Sequence, residues 1–381
     1  MSKAHLNFYC LMKKVMLHIS VMLVLFAVYF AAHWAVYISL VKFLGISNLT
    51  IKNILAWSLV FLAISFFVAT LLAHLSDNMF TRGYYLLSGF WLGLLVSLLL
   101  FFVLTWAIAA IGFWTGTLPN QKLLAVLAIC AAVLYSFYGV YNAFAAKITS
   151  LDVAIDGLPQ QWVGKKIVQI SDVHLGHIYS AAYFSSVVEK INALQPEVVV
   201  ITGDLFDGTD GKLDSFVSPI NKINAPVFFI TGNHETYLGI DKSYAAIAKT
   251  KITPLRDSLQ TIKGLQFIGI DYPLRGESRD IAKIIPDMPN WDQFAPSILL
   301  IHEPLQTESA KKVGISLRLS GHTHKGQLFP FGFVTSLIFG KYDYGFVREG
   351  SFASYTSSGL GGWGPPMRTS KNSEIVQITL R

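Results

Sequence analysis

The sequence predicts a membrane region of four helices followed by an α/β domain. The first 146 residues contain four long apolar runs without charged side chains, and the residues after Lys166 alternate short β-branched runs with amphipathic segments. Acidic side chains follow the same division, with one among the first 146 residues and 22 in the rest of the chain. We therefore expect a membrane domain at 1–147 and an α/β domain at 148–381.

The four apolar runs are predicted to be transmembrane helices. Each reaches the ~20 residues that a helix needs to cross the hydrocarbon core. The expected spans are about residues 15–41, 54–75, 86–113 and 123–145. The first run is too long for the core of a signal peptide and three further spans follow it, so we expect it to be retained.

The positions of Lys and Arg indicate on which side of the membrane the α/β domain lies. Four spans place both ends of the chain on one side, where five basic residues flank the spans, against three on the opposite side. Basic residues are enriched in cytoplasmic loops. The α/β domain also has no cysteine, as is common in a reducing compartment. We expect a multi-pass protein of the plasma (inner) membrane with its α/β domain in the cytoplasm.

The distribution of charge argues against nucleic acid as a partner. Of the formal net charge of +7, +6 comes from the first 146 residues and +1 from the rest. A nucleic-acid-binding domain concentrates its excess of Lys and Arg on the binding surface. Here the excess flanks apolar runs, which indicates the bilayer as partner.

Six β-branched runs are predicted to be buried strands. They are residues 166–171, 197–203, 226–232, 265–271, 297–302 and 316–321. Helical patterns near 181–194 and 212–223 separate the first three, which predicts a β-α-β-α-β order with a site at the carboxyl ends of the strands. Segments 351–359 and 374–380 are predicted to be further strands.

Five of these strands end in side chains that bind metals. In chain order these are Asp172 and His174, Asp204, Asn233 and His234, His302, and His322 and His324. One such residue can simply cap a helix or form a turn, and the glycines beside several of them let the backbone turn sharply. Five equivalent strand ends are not explained by capping. The spacing of His322 and His324 also places both on one face of a strand, so the sequence predicts a metal site.

The order D-x-H, G-D, G-N-H-E, H and G-H-x-H resembles the calcineurin-like metallophosphoesterases over about residues 150–381. The motifs GDLFDG, TGNHETY, HEP, GHTHKGQ and GGWGPPMR are similar to the branch of transmembrane proteins with a metallophosphoesterase domain. The resemblance implies an αββα sandwich of two mixed sheets and two divalent metals, with Mn expected and Fe or Zn as alternatives. Lys325 stands where this branch usually has glycine, which bears on the local backbone or on substrate preference.

The resemblance also implies roles for individual residues. It assigns one metal to Asp172, His174, Asp204 and His324, and the other to Asp204, Asn233, His302 and His322. His234 is implied as the acid that protonates the leaving oxygen or stabilises its charge, while Glu235 either orients it or is a surface carboxylate. Two residues outside these assignments are candidates for substrate binding. His177 is either an extra metal ligand or a loop histidine that lines the mouth of the site. Arg368 either meets a substrate phosphate or pairs with a structural carboxylate.

The implied function is hydrolysis of a phosphoester or pyrophosphate bond at the membrane. Kinship with UDP-2,3-diacylglucosamine hydrolases of lipid A biosynthesis favours a lipid-linked substrate. The alternative is a non-catalytic membrane scaffold or sensor that has kept the domain, although all seven ligand positions are occupied by suitable residues.

The stretch at 328–347 contains many large apolar side chains and few charges. Two interpretations stay open. These residues pack inside the edge of the second sheet, since aromatic residues dominate cores, or part of the stretch is exposed and contacts the bilayer or acyl chains.

Overall fold

The computed structural model describes residues 3–117, 119–208, 211–274 and 277–381. Its first part consists of four long helices. They are α1 (Lys3–Phe43), α2 (Leu49–Leu75), α3 (Met79–Thr115) and α4 (Gln121–Phe144). Each contains a stretch that is long and apolar enough to cross a membrane, which confirms the four predicted helices. Residues 1, 2 and 118 of the predicted membrane domain lie outside the described residues.

Helix α3 begins at Met79, earlier than the predicted start at residue 86. Asn78 caps it, because its Oδ1 accepts from the N–H of Phe80 at 2.9 Å and of Thr81 at 3.0 Å. Arg82 in the first turn pairs with Asp77, with Nε 2.6 Å from Oδ1. The apolar run alone did not reveal this polar first turn.

Residues up to Val68 together with Trp91–Tyr135 form one compact unit. One cluster of buried apolar residues in it comprises Val36, Phe43, Leu95, Leu98, Phe102, Ala125, Ala128 and Ala132. The small residues let helices approach closely, as is typical of membrane proteins. His33 accepts a hydrogen bond at Nε2 from Trp91 Nε1 at 3.1 Å, so it takes part in helix packing.

Ala69–Phe90 and Ser136–Arg381 form the second compact unit, which contains the α/β domain. The ends of the spans therefore group with that domain, whereas composition placed the boundary at 147/148. That boundary stays a prediction.

The α/β domain contains two mixed six-stranded sheets, as expected. The strands of the first sheet, in spatial order, are β1 (Lys147–Val153), β12 (Glu374–Leu380), β2 (Lys166–Ile170), β3 (Val198–Thr202), β4 (Val227–Ile230) and β5 (Ile252–Pro254). Those of the second are β10 (Gly345–Glu349), β11 (Phe352–Thr356), β9 (Leu317–Ser320), β8 (Ser297–Leu300), β7 (Leu265–Gly269) and β6 (Ser258–Ile262). Strands β2 to β5 are parallel, as are β7, β8, β9 and β11.

Alternate side chains of a strand point to opposite faces of its sheet. One face of each sheet therefore packs against the other sheet. In β3, Val198 and Val200 join the core between the sheets, whereas Val199 and Ile201 pack with the helices outside. The helices of the α/β domain are α5 (Ala181–Ala193), α6 (Leu213–Val217), α7 (Asn233–Leu238), α8 (Ile240–Ile247), α9 (Ile281–Ile284), α10 (Thr307–Lys312) and α11 (Gly332–Phe339). A third core covers the outer face of the second sheet, around Ile281. The result is the expected αββα sandwich.

Trp162 is a fully buried member of the core between the sheets. Its Nε1 donates to the carbonyl of Ile262 at 3.0 Å, and its ring centroid lies 5.8 Å from that of Phe267. We predict that Trp162→Ala destabilises the α/β domain by about 3–5 kcal/mol, because it leaves a large cavity. Thermal unfolding of the full chain in detergent, followed by circular dichroism, measures this as a lower Tm. Phe294→Ala is the control, because Phe294 is 87% exposed, and equal shifts in both variants would contradict the prediction.

Candidate metal centre

The predicted ligands lie in the loops that follow five parallel strands. Asp172 and His174 follow β2, Asp204 follows β3, Asn233 opens α7 after β4, His302 follows β8, and His322 and His324 follow β9. Because carboxyl ends of parallel strands meet at one edge, both sheets contribute to one site. All of these side chains are buried except His322, which is partly exposed.

Five of the seven predicted ligands have backbone conformations that residues other than glycine rarely adopt. Their φ angles are 52° for Asp172, 52° for His174, 51° for Asp204, 71° for His322 and 48° for His324. Residues other than glycine in this left-handed region are strained and concentrate at functional sites. The loops are therefore shaped to bring these side chains together.

The first group of donor atoms comprises Asp172, His174 and His324. The two Nε2 atoms of the histidines lie 3.2 Å apart, and His324 Nε2 lies 3.5 Å from Asp172 Oδ1. Two unprotonated ring nitrogens at this distance repel each other unless a proton or a cation lies between them. The group therefore fits a cation.

The second group comprises Asp204, His302 and His322, with the amide of Asn233 beside them. His302 Nε2 lies 3.2 Å from Asp204 Oδ2, 3.1 Å from Asn233 Oδ1 and 3.3 Å from His322 Nδ1. Asp204 Oδ2 also lies 3.9 Å from His174 Nε2, so this carboxylate stands between the two groups. Mixed imidazole and oxygen donors suit Mn, Fe or Zn, and they differ from the all-oxygen cage of Ca²⁺.

Buried charge makes this centre attractive to cations. Burial acts to lower the pKa of His302, but the Asp204 carboxylate raises that pKa to about 10. Burial tends to raise the pKa of Asp204, yet His302 holds it below its ordinary value. Burial and the nearby His302 lower the pKa of His322 to about 3, and burial also lowers the pKa of His324. Without a cation His302 therefore carries a proton that metal binding would displace, whereas His322 and His324 are neutral, which is the form of imidazole that binds metals.

His234 is held by the loop after β3. Its backbone N–H donates to Asp204 Oδ1 at 2.9 Å, and its Nδ1 lies 2.8 Å from the carbonyl oxygen of Asp207. A carbonyl only accepts, so Nδ1 carries the hydrogen and Nε2 is the nitrogen that faces other groups. His234 also shares a possible metal-binding group with His174 and Asp204, a placement that the sequence did not indicate.

Glu235 has neither of the two positions expected for it. It is fully buried, and its carboxylate accepts from the N–H of Gly232 at 2.7 Å, of Asp204 at 3.0 Å and of Phe206 at 3.0 Å. Burial and the Asp204 charge raise its pKa to about 7, against the effect of these N–H donors. Glu235 thus binds the loops after β3 and β4 together, and this supports Asp204 rather than His234.

Arg368 is fully buried, and its guanidinium is directed at the protein. It donates to the carbonyls of Lys371 at 3.1 Å and His324 at 3.2 Å, and to those of Ser358 and Gly361. Nη1 also lies 3.3 Å from His324 Nδ1. In this structure Arg368 positions His324, and its expected role as a phosphate-binding residue stays a prediction.

His177 lies away from the two groups of donor atoms. Its Nε2 is 3.5 Å from Oδ1 of Asp77, in the loop between α2 and α3, and its ring centroid is 5.8 Å from that of Tyr85. Burial lowers the pKa of His177. A different acidic residue, Asp207, lies beside a predicted ligand, with Oδ1 3.6 Å from His174 Nδ1. The sequence did not predict either contact, because the partners in each pair are distant along the chain.

Lys325 has the backbone shape that glycine favours, with φ 49° and ψ 40°. Glycine would adopt this loop conformation as readily as lysine does. Its Nζ donates to Ser336 Oγ at 2.6 Å and pairs with Asp343, so the longer side chain adds contacts of its own.

Two glycines beside the site are needed because ligand side chains pack directly against their backbone, and not because the chain turns there. A Cβ on Gly321 would lie 1.9 Å from Ser171 Oγ and 2.2 Å from Asp172 Oδ2, and one on Gly232 would lie 2.1 Å from Asp204 Oδ1. Neither has a positive φ. By contrast Gly203, with φ 86°, makes the expected sharp turn.

We predict that Gly321→Ala displaces the Asp172 carboxylate and weakens metal binding by about 10–100-fold, the range seen when groups that orient ligands are changed. Metal titration of the purified full chain measures the affinity. Gly83→Ala is the control, because its added methyl group meets nothing within 4 Å. Unchanged affinity in Gly321→Ala would contradict the prediction.

Comparison with known proteins agrees with this geometry. The sequence profile of the family described as calcineurin-like phosphoesterase matches residues 165–326. An uncharacterized metallophosphoesterase of Helicobacter pylori is 33% identical over 252 residues, which cover 65% of this chain and 67% of that protein. One from Aquifex aeolicus is 30% identical over 263 residues, covering 66% and 97%.

A transmembrane protein with metallophosphoesterase domain from Danio rerio is 31% identical over 278 residues, covering 67% of this chain and 62% of that protein. This similarity and the four apolar helices indicate a membrane protein. The chain belongs to the calcineurin-like phosphoesterase family and is a metallophosphoesterase, a hydrolase of phosphoric esters.

Proposed function

We propose that the chain is a membrane-bound phosphoesterase that uses two divalent cations to hydrolyse a phosphoester or pyrophosphate bond of a lipid-linked substrate. The observation that supports this most is the position of Asp204. Its carboxylate stands between two groups of buried donor atoms, 3.2 Å from His302 and 3.9 Å from His174.

The first cation is assigned to the group that includes Asp172, and the second to the group that includes Asn233. The complete ligand sets are Asp172, His174, Asp204 and His324 for the first, and Asp204, Asn233, His302 and His322 for the second. Cations in such a pair lower the pKa of bound water and polarise a phosphoryl oxygen. Mn is the cation we expect, and Fe or Zn would suit the same donors.

His234 is the residue we expect to protonate the leaving oxygen or to stabilise its charge. The Asp207 carbonyl orients its ring through Nδ1, which leaves Nε2 for the substrate. Two exposed aromatic rings stand beside it, with centroids 5.3 Å away for Tyr237 and 6.3 Å for Trp363. They offer an apolar wall to the leaving group on that side.

A lipid-linked substrate suits an enzyme whose own chain is embedded in the bilayer. UDP-2,3-diacylglucosamine, a nucleotide lipid with a pyrophosphate bond, is one compound of this class. Hydrolysis by the full chain in nanodiscs, measured against this compound, phospholipids, cyclic nucleotides and bis-p-nitrophenyl phosphate, tests the class of substrate. Turnover of bis-p-nitrophenyl phosphate without turnover of any lipid would exclude the lipid-linked substrate but keep the hydrolase.

We predict that Asp204→Asn lowers the metal content and abolishes hydrolysis, because one carboxylate serves both cations. His234→Asn should keep both metals and reduce kcat by about 10²–10⁴-fold, as for a lost general acid. Metal analysis and turnover of bis-p-nitrophenyl phosphate measure both effects, and a chelator should stop the wild-type enzyme.

The control for Asp204→Asn is Asp214→Asn, which neutralises a half-exposed carboxylate paired with Lys249. It should change neither metal content nor rate. Full activity of Asp204→Asn would contradict the role of Asp204 as a shared metal ligand. Loss of metal in His234→Asn would contradict the role of His234 as the acid.

We further propose that the phosphoesterase domain lies in the cytoplasm, at the plasma (inner) membrane. Five basic residues on the side of the chain ends against three on the other side support this orientation. We predict that green fluorescent protein fused after Arg381 is fluorescent, and that alkaline phosphatase fused there is inactive. A fusion after Gly45, in the loop between α1 and α2, should give the opposite pair of results. Active phosphatase after Arg381 would place the domain outside.

A further inference from the structure

The segment Phe329–Phe339, which ends in helix α11, exposes large apolar side chains. None of the helical residues is buried, and the exposed fraction is 87% for Leu337, 66% for Phe333 and 64% for Ile338. A surface helix of a soluble protein normally buries one apolar stripe. Within the stretch 328–347, this segment is therefore outside the core, whereas Leu328 is buried and Tyr342 packs against the third core.

Polar contacts on the inner side hold α11 in place. Ser336 Oγ lies 2.7 Å from Asp343 Oδ2 and 2.6 Å from Lys325 Nζ. Asp343 is 2% exposed, and Lys325 directly follows the predicted ligand His324. The apolar side chains are therefore presented to the outside by an anchored helix and not by a frayed one.

The segment lies between the metal centre and a membrane helix. At one end, the ring centroid of Phe339 is 6.0 Å from that of His322. At the other end, the N–H of Phe329 donates to Thr369 Oγ1 at 3.0 Å. Thr369 contacts α4, because a Cβ on Gly139 would lie 2.8 Å from its Cγ2. All of these residues belong to the second compact unit.

We propose that Phe329–Phe339 inserts into the surface of the bilayer beside α4. The bilayer is the occupant that the structure favours, because the segment is linked through Thr369 to α4, a helix long and apolar enough to cross a membrane, and has no acidic residue. Apolar side chains at the boundary of headgroups and acyl chains bind a membrane in this way. Since Phe339 contacts His322, the metal centre then opens at the lipid surface. The insertion of Phe329–Phe339 into the bilayer does not depend on which phosphoester is hydrolysed.

The test places a fluorophore on the segment in the full chain. Leu337→Cys, in a background of Cys10→Ser and Cys130→Ser, is labelled with an environment-sensitive dye and reconstituted into phosphatidylcholine–phosphatidylglycerol nanodiscs. Part of the lipid carries a doxyl quencher near the headgroup. The matched control is Phe294→Cys, which is also 87% exposed but precedes β8, at the strand ends away from the site. We expect doxyl quenching of the dye at 337 to exceed that at 294 by roughly twofold or more.

Equal quenching at both positions would overturn the proposal. A blue-shifted dye at 337 without doxyl quenching would also overturn it, because a second copy or another protein would then cover the segment. Ile338→Cys repeats the measurement if the first variant does not fold. If the quenching experiment contradicts insertion, hydrolysis of bis-p-nitrophenyl phosphate still tests the proposed enzyme activity separately.

Discussion

The carboxylate of Asp204 is the group on which the rest of the site depends. It is 2% exposed, and a buried carboxylate is stable only when it is paired. Its Oδ2 lies near His174, which follows a strand of the first sheet, and near His302, which follows a strand of the second. One negative charge thus joins the two sheets at their carboxyl edge. The negative charge of Asp204 also stabilises a cation bound among the surrounding imidazole rings.

Keeping this charge in place requires an unusual backbone. Left-handed residues such as Asp172 and Asp204 cost about 1–3 kcal/mol each when they are not glycine. Two buried ionic groups stabilise the loops by bonding to the backbone. Glu235 accepts from three N–H groups around Asp204, while Arg368 donates to the carbonyls of His324, Ser358 and Gly361. Glu235 accepts from backbone N–H groups and Arg368 donates to backbone carbonyls, and together they fix the loops that carry the ligands.

Sequence reasoning found the features that are encoded within a few residues. The spans follow from the length of apolar runs, and the ligands from polar residues placed directly after predicted strands. It did not find β1, whose side chains are mostly polar and which depends on parallel pairing with β12. It also missed the contact of His177 with Asp77 and the backbone role of Glu235, because such partners meet only in the folded chain. For α11 the composition was the same for a core and for an exposed surface, so only the structure could decide.

The ends of the membrane helices contact the loops that carry the site. A Cβ on Gly89 in α3 would lie 2.6 Å from the Gly364 carbonyl oxygen, and the N–H of Arg368 donates to the Gly139 carbonyl of α4 at 2.9 Å. A flexible tether makes no such contacts. Because Arg368 positions His324, and because His177 in the loop after β2 lies against Asp77, the ends of the spans contact two separate loops of the α/β domain. The ends of α3 and α4 are therefore part of what shapes the loops around the site, and deleting α1–α4 would remove both sets of contacts.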